Sequence, residues 1–209
     1  QGINNFFLMG YENQSGLPLG GTNMDFLSGT PSIYYQYREI GYSRANANIS
    51  GSNGNLLFST NGAWVADALG DTMQNGSGIN PGLFTDDYGP TYGMILPYGN
   101  IILPMRDDSI KYVLFHQTGN YFAPSSISAT EIYYSIIDIS LDNGLGAVVS
   151  KNNIAVTGSF GWGLSACKHG NGRDWWVVAL SDSAKKALTF LITPDSIEFK
   201  GIQNLQISG

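Results

Sequence analysis

Short polar corners recur along this chain, and they constrain its fold more than any other feature. Ser52-Asn53-Gly54-Asn55, Arg106-Asp107-Asp108-Ser109, Asp142-Asn143-Gly144 and Gly170-Asn171-Gly172-Arg173 each interrupt runs of aromatic and β-branched residues. Asn-Gly and Asp-rich corners favour the positive φ that tight hairpins need. The intervening runs (5–11, 32–37, 56–59, 112–116, 131–139, 147–150, 175–180 and 188–193) have the composition of strands. No stretch shows a convincing helical period. Segments 63–70 and 183–192 come nearest, and the second reads better as a turn from Ser181 to Lys186 followed by a strand. The expected fold class is all-β.

Composition removes other classes. Only 12% of residues are charged, the same share as aromatics, and the net charge is -6. Without a Lys/Arg cluster there is no footprint for nucleic acid. A chain with 43% apolar residues and so little charge is not intrinsically disordered. The 27 glycines exclude a coiled coil. The single Cys167 makes no internal disulfide, and the apolar runs are too short for a helical membrane span. A start at Gln1 rather than Met fits removal of a signal peptide. Few lysines and many Asn, Ser, Gly and Tyr predict a secreted or outer-surface setting.

The hairpins line up as a repeat. Segments 47–62, 100–119 and 163–181 each read as a short apolar strand, a polar corner and a strand of large apolar residues, with Phe58, Leu114 and Val177 at comparable places. Segments 131–140 and 186–196 then supply a third strand to the second and third units. A single twisted sheet exposes two apolar faces, and packing like sheets around an axis buries both. The pattern therefore predicts a β-propeller or partial propeller of four-stranded blades, with a β-sandwich as the alternative. The expected divisions are 1–46 as N-terminal strands or an irregular closing blade, then blade-like units 47–99, 100–162 and 163–209. Segment 71–99 is expected to be a long loop. Residues 203–209 read as a cut within a repeat series, so a fragment is expected, with a protein partner or further blades covering an open sheet face.

Three stretches carry a family resemblance: NGNLLFSTNG (53–62), YYSIIDISLDNGLGAVVSKN (133–152) and CKHGNGRDWWVVAL (167–180). In order and spacing they resemble the N-terminal propeller-type region of large secreted surface proteins of Bacteroidota. That class commonly ends in a gliding-motility-associated or type IX secretion sorting domain. The resemblance covers roughly residues 45–195, and it implies a WD-repeat-like propeller in a secreted or cell-surface protein. The sorting domain and further blades are absent from the sequence, so the resemblance implies a fragment or a divergent short member. It also implies O-glycosylation at Asp-Ser/Thr followed by a small or aliphatic residue. Such triplets place candidate glycans on Thr72, Ser109, Ser183 and Ser196. The bland reading is that Asp-Ser is a good turn dipeptide.

Catalytic signatures are missing. His116 and His169 have no metal-ligand spacing, so no metal site and no cofactor are expected. Cys167 and His169, two apart, lack a third orienting group. Asp86-Asp87 and Asp107-Asp108 are adjacent pairs, which does not imply the spacing that glycoside hydrolysis needs. Asp142-Asn143-Gly144 reads as a plain turn rather than a calcium loop. The aromatic candidates are Trp64 and Trp162, the latter expected in a loop where it could stack on a sugar; Trp175 and Trp176 read as core or inter-sheet packing. The expectation is a non-catalytic surface module for adhesion or protein–protein interaction. The alternative is a carbohydrate-binding or carbohydrate-active propeller that recognises surface glycans.

Overall fold

A computed structural model describes residues 5–10, 20–105, 110–123 and 126–206. Among the described residues the chain is all-β with one α-helix. In order, the elements are β1 (Phe6–Met9), β2 (Thr22–Asp25), β3 (Ser32–Tyr35), β4 (Ala47–Ser50), β5 (Leu56–Thr60), β6 (Val65–Ala66), α1 (Leu83–Tyr92) and β7 (Asn100–Pro104). They continue with β8 (Lys111–Ala123), β9 (Ser126–Asp138), β10 (Ala147–Lys168), β11 (Trp175–Ser181), β12 (Lys186–Ile192) and β13 (Ile197–Asn204). These strands make two three-stranded sheets, β1-β2-β3 and β4-β5-β6, and a seven-stranded antiparallel meander from β7 to β13.

The three repeated stretches each form an antiparallel hairpin: β4 with β5, β7 with β8, and β10 with β11. The 22-residue β10 belongs to two neighbours. Its first part, Ala147 to Phe160, pairs with β9, and Phe160 to Lys168 pairs with β11. Register shifts interrupt both pairings, and such irregularities bend a strand. The second and third repeats are thus joined edge to edge in one open sheet. Among the described residues the sheets form no closed ring of separate blades.

Alternation sorts the side chains of this sheet into two cores. Val113 and Phe115 of β8 point to one face, with Ile132, Val177, Leu188 and Phe190. Tyr112 and Leu114 point to the other, where Ile49, Phe58 and Val65 of the β4–β6 region cover them. Phe58 meets Tyr112 edge-on with ring centroids 5.5 Å apart. The first core requires strong curvature. In a flat sheet β8 and β12 would lie about 19 Å apart, yet the Phe115 and Phe190 rings are 5.5 Å apart. The sheet curls until its two halves pack face to face.

A third cluster, Leu8, Ile40, Tyr42 and Ala66, ties the β1–β3 sheet to the rest. Asparagine side chains replace strand pairing along the outer edge of β1. Asn48 accepts from the Leu8 N–H at 3.3 Å and donates to the Phe6 carbonyl at 2.6 Å, while Asn46 donates to the Leu8 carbonyl. Both the 181–186 turn and the corner at 169–174 sit between paired strands, as read from the sequence. Segment 71–99 departs from expectation because it contains α1. The sequence of α1 includes Gly89 and Pro90, which are poor in a helix interior. Packing supplies what propensity lacks: buried Phe84 meets Tyr121 of β8 edge-on at 4.4 Å.

Phe115 lies fully inside the curl, whereas Phe199 is 46% exposed on β13. Phe115→Ala is expected to cost about 3–5 kcal/mol and Phe199→Ala at most about 1 kcal/mol, read from urea unfolding. Equal costs would mean that the curl is not the main core.

Candidate functional site

A cleft of about 460 Å³ opens between the start of β6 and the first turns of α1. Ala63, Trp64, Thr72, Ser77, Gly78, Thr85, Asp86 and Gly89 line it. The wall is built by backbone pairing, in which Val65 N–H donates to Gly76, Met73 N–H to Val65 and Ile79 N–H to Ala63, at 2.9–3.1 Å. Trp64 is half-buried and leans on the Leu8 cluster, which fixes its ring. The opposite wall comes close because Gly89 has no side chain: a Cβ there would stand 2.9 Å from that of Ala63.

The rim of this cleft is pinned to the main sheet by a buried polar network. Asn80 donates from Nδ2 to the Gly62 carbonyl at 2.9 Å, so its Oδ1 is free to accept. That oxygen lies 2.7 Å from Nδ1 of His116, and Nε2 of His116 lies 2.9 Å from Oγ of Ser135. Asn80 Oδ1 can only accept, which places the proton on Nδ1 and makes Ser135 the donor to Nε2. Ser135 Oγ in turn accepts the Asn152 N–H at 3.1 Å, and the Asn152 side chain bonds Asn80 N–H and the Gly78 carbonyl. Lys151 donates to the carbonyls of Asn75 and Ser77. Burial without a charged partner pushes the His116 pKa down to about 3 and keeps the ring neutral.

A second cavity, about 320 Å³, lies between the β1–β3 sheet and β5, with Phe6, Tyr34, Arg38 and Leu69 among its lining residues. Arg38 is nearly buried, and its guanidinium donates to the Asn23 side chain and to the carbonyls of Met9 and Thr22. These bonds clamp β1, β2 and the segment that follows β3 together, which gives Arg38 a structural role.

Among the described residues, the outer face of the β1–β3 sheet is largely exposed. Strand register puts Phe7, Met24 and Ile33 in one row and Met9, Thr22 and Tyr35 in the next. Phe7, Met9, Ile33 and Tyr35 are 49%, 46%, 60% and 37% exposed, and none of the six residues is charged. Phe26 extends the patch by meeting Phe7 edge-on at 6.0 Å. Leu8, on the opposite face, is 1% exposed.

The residues singled out from the sequence scatter. Trp64 and Thr72 come together in the cleft with Asp86. Asp86 and Asp87 diverge, since Asp87 accepts from the Tyr121 hydroxyl at 3.3 Å. Trp162 lies within β10 rather than in a loop. It sits, exposed, in the irregular stretch between Phe160 and Leu164, where buried Gln117 holds the backbone on either side. Gln117 donates to the Gly161 carbonyl at 3.2 Å and accepts from Gly163 N–H at 2.9 Å. Trp175 packs on the larger core and Trp176 against His169, at 5.4 Å. His169 Nδ1 accepts the Asn171 N–H, which commits that nitrogen to the corner. Ser183 is exposed in its turn, whereas the Ser196 hydroxyl bonds Glu198 and Thr193. Ser109, with Asp107 and Asp108, lies outside the described residues. Asp142-Asn143-Gly144 is a single 3-10 turn. Among the described residues no three His, Cys, Asp or Glu side chains converge as a metal-binding group, and no helix is long and apolar enough to cross a membrane. The His116 hub gave no sequence signal, because Asn80 and Ser135, which bond it, and Gly62 and Asn152, which bond those two, lie far from it in the chain.

His116 makes stability depend on acid. The unfolded ring takes up a proton near pH 6.5 that the folded ring refuses until about 3. Stability is therefore fully present above pH 6.5 and falls as the pH drops below it, approaching about 1.4 kcal/mol per pH unit. Asp174, held down to about 2 chiefly by its bond to Arg173, stays charged through that window. Urea midpoints of the wild type are expected to fall between about pH 6 and pH 4, whereas His116→Gln is less stable throughout but flatter over that range. Parallel profiles would assign the acid sensitivity elsewhere. Comparison with known proteins gives no matching family model, curated protein or solved structure.

Proposed function

We propose that this chain is a non-catalytic interaction module, exported to the cell surface or beyond, that binds a protein partner through the outer face of the β1–β3 sheet. The observation that carries this reading is the uncharged row of Phe7, Met24 and Ile33 with Met9 and Tyr35 beside it, largely exposed among the described residues on one face of a sheet whose other face buries Leu8 and Asn23. A contiguous apolar patch of this kind marks a contact surface in a soluble protein. The occupant that suits it is an equally apolar, uncharged protein surface, such as the face of another sheet. β3 is the outer strand of its sheet and is exposed at every residue, so a partner can approach it from the side as well as from the face.

For the finer architecture we adopt the sandwich alternative to the propeller, on the strength of the packing of β4–β6 and of the curled sheet's own halves. The export reading rests on the low charge, the many Asn, Ser, Gly and Tyr residues and the resemblance of 53–62, 133–152 and 167–180 to Bacteroidota surface proteins of the gliding-motility and type IX secretion class. Glycans at Ser109, Ser183 and Ser196 belong to the same reading; Thr72, which lines the cleft beside Trp64, is left out of it. Intact mass of the chain purified from its natural host is expected to exceed the polypeptide mass; a match to the bare polypeptide removes the glycans.

The contact face is tested with a photo-crosslinking residue at Ile33 and, as control, at the equally exposed Ile154 on β10. A discrete adduct on intact producing cells is expected from position 33 and none from 154. Ile33→Asp is expected to abolish the adduct formed from a neighbouring crosslinker at Phe7, while changing stability by no more than about 0.5 kcal/mol. Adducts of equal yield at both positions, or at neither, would rule this face out.

A further inference from the structure

We infer that the cleft between β6 and α1 is a binding site for a neutral saccharide, with Trp64 as the stacking platform and Asp86 as the anchor for sugar hydroxyls. This rests on the cleft alone and is independent of the protein-contact face. The cleft is in the size range of small-ligand sites. It combines one aromatic ring, three hydroxyl side chains (Thr72, Ser77 and Thr85), one carboxylate and two glycines that bring backbone to the surface.

The lining selects among ligand classes by elimination. An alkyl or aryl ligand would strip water from three hydroxyls and a carboxylate without replacing their hydrogen bonds. Phosphates and acidic sugars meet the negative charge of Asp86, which among the described residues is the only charged side chain lining the cleft. A quaternary ammonium group is best held by a cage of several rings, and here one ring is present. A pyranose fits each feature. Its C–H face carries slight positive charge and lies on the negative face of the indole. Its rim hydroxyls donate to Asp86 in charge-assisted bonds, and they exchange bonds with Thr72, Ser77 and Thr85.

The site is also held in shape before any ligand arrives. Asn75, Gly78 and Asn80 of the rim have φ of 59°, 69° and 56°, a conformation costly for most residues. The His116–Asn80–Ser135–Asn152 network and Lys151 fix that loop to the main sheet. Thr85 Oγ1 donates to the Asn80 carbonyl, which commits its proton and leaves it an acceptor. Rigid walls reduce the ordering cost that weakens sugar binding.

Calorimetry with the full chain tests this against cellotetraose, maltotetraose, xylotetraose, mannotetraose and chitotetraose, with choline chloride alongside, each to about 10 mM. At least one of the five sugars is expected to bind. Asp86→Asn, at an exposed position, is expected to weaken that binding about tenfold, in line with loss of charge-assisted bonds. Trp64→Ala is expected to abolish it. Because Trp64 also packs on the Leu8 cluster, Trp64→Phe serves as the milder variant and should retain part of the affinity. Trp162→Ala, at the exposed tryptophan on β10, and Ile33→Asp should leave it unchanged. Binding of none of the five sugars, binding indifferent to Asp86→Asn, binding lost in Trp162→Ala, or saturation by choline without any sugar overturns the proposal.

Discussion

The arrangement of this protein depends on one long strand that two half-sheets share. β10 gives its first part to β9 and its second to β11, and the register slips where it passes from one to the other. A continuous strand keeps the backbone hydrogen bonds of both halves satisfied, so the sheet can bend without an orphaned edge in its middle. The bend lets Phe115 and Phe190 meet across strands that are distant in the sheet. One sheet thereby builds a core with itself on one face and still offers its other face to β4–β6.

With that frame set, polar contacts rather than greasy ones position the long 67–82 segment. Such a segment has few large apolar residues to bury; Met73 and Ile79 are the ones that reach the core. The remainder is held by the side-chain amides of Asn75, Asn80 and Asn152 and the ammonium of Lys151, with a neutral histidine at the centre. A network of this kind is stabilising only when every member has its partner, and here donors and acceptors alternate without conflict from Gly62 through Asn80 and His116 to Ser135 and Asn152. The same contacts that spare the fold a disordered loop give the cleft its fixed wall.

How much of this could be read in the sequence follows the range of each interaction. Corners such as 170–173 and 181–186 were legible because a turn is decided by the residues inside it. The hairpin repeats were legible for the same reason. The fusion of two repeats through β10 was not, because a strand that bends at Gly158, Gly161 and Gly163 looks like two strands with a glycine-rich loop between them. Trp162 was placed in that apparent loop on the same grounds. Helix α1 was hidden by Gly89 and Pro90, since its stability comes from Phe84 packing on β8. Trp64 stands out in the sequence as an aromatic binding candidate, but its neighbours Thr72 and Asp86 come from other turns of the chain. Only the fold brings the three to one opening.

The grip of Gln117 on Gly161 and Gly163 has a chemical lifetime. A carboxamide both gives and takes a hydrogen bond, and here each end meets its complement. Hydrolysis of that amide to a carboxylate would set an anion against the Gly161 carbonyl, turning an attraction into a repulsion inside the protein. The backbone around Trp162 would then be released by a change of one atom, without any residue being cut. Burial keeps water from the amide, so this ageing reaction waits on the opening of the curled sheet.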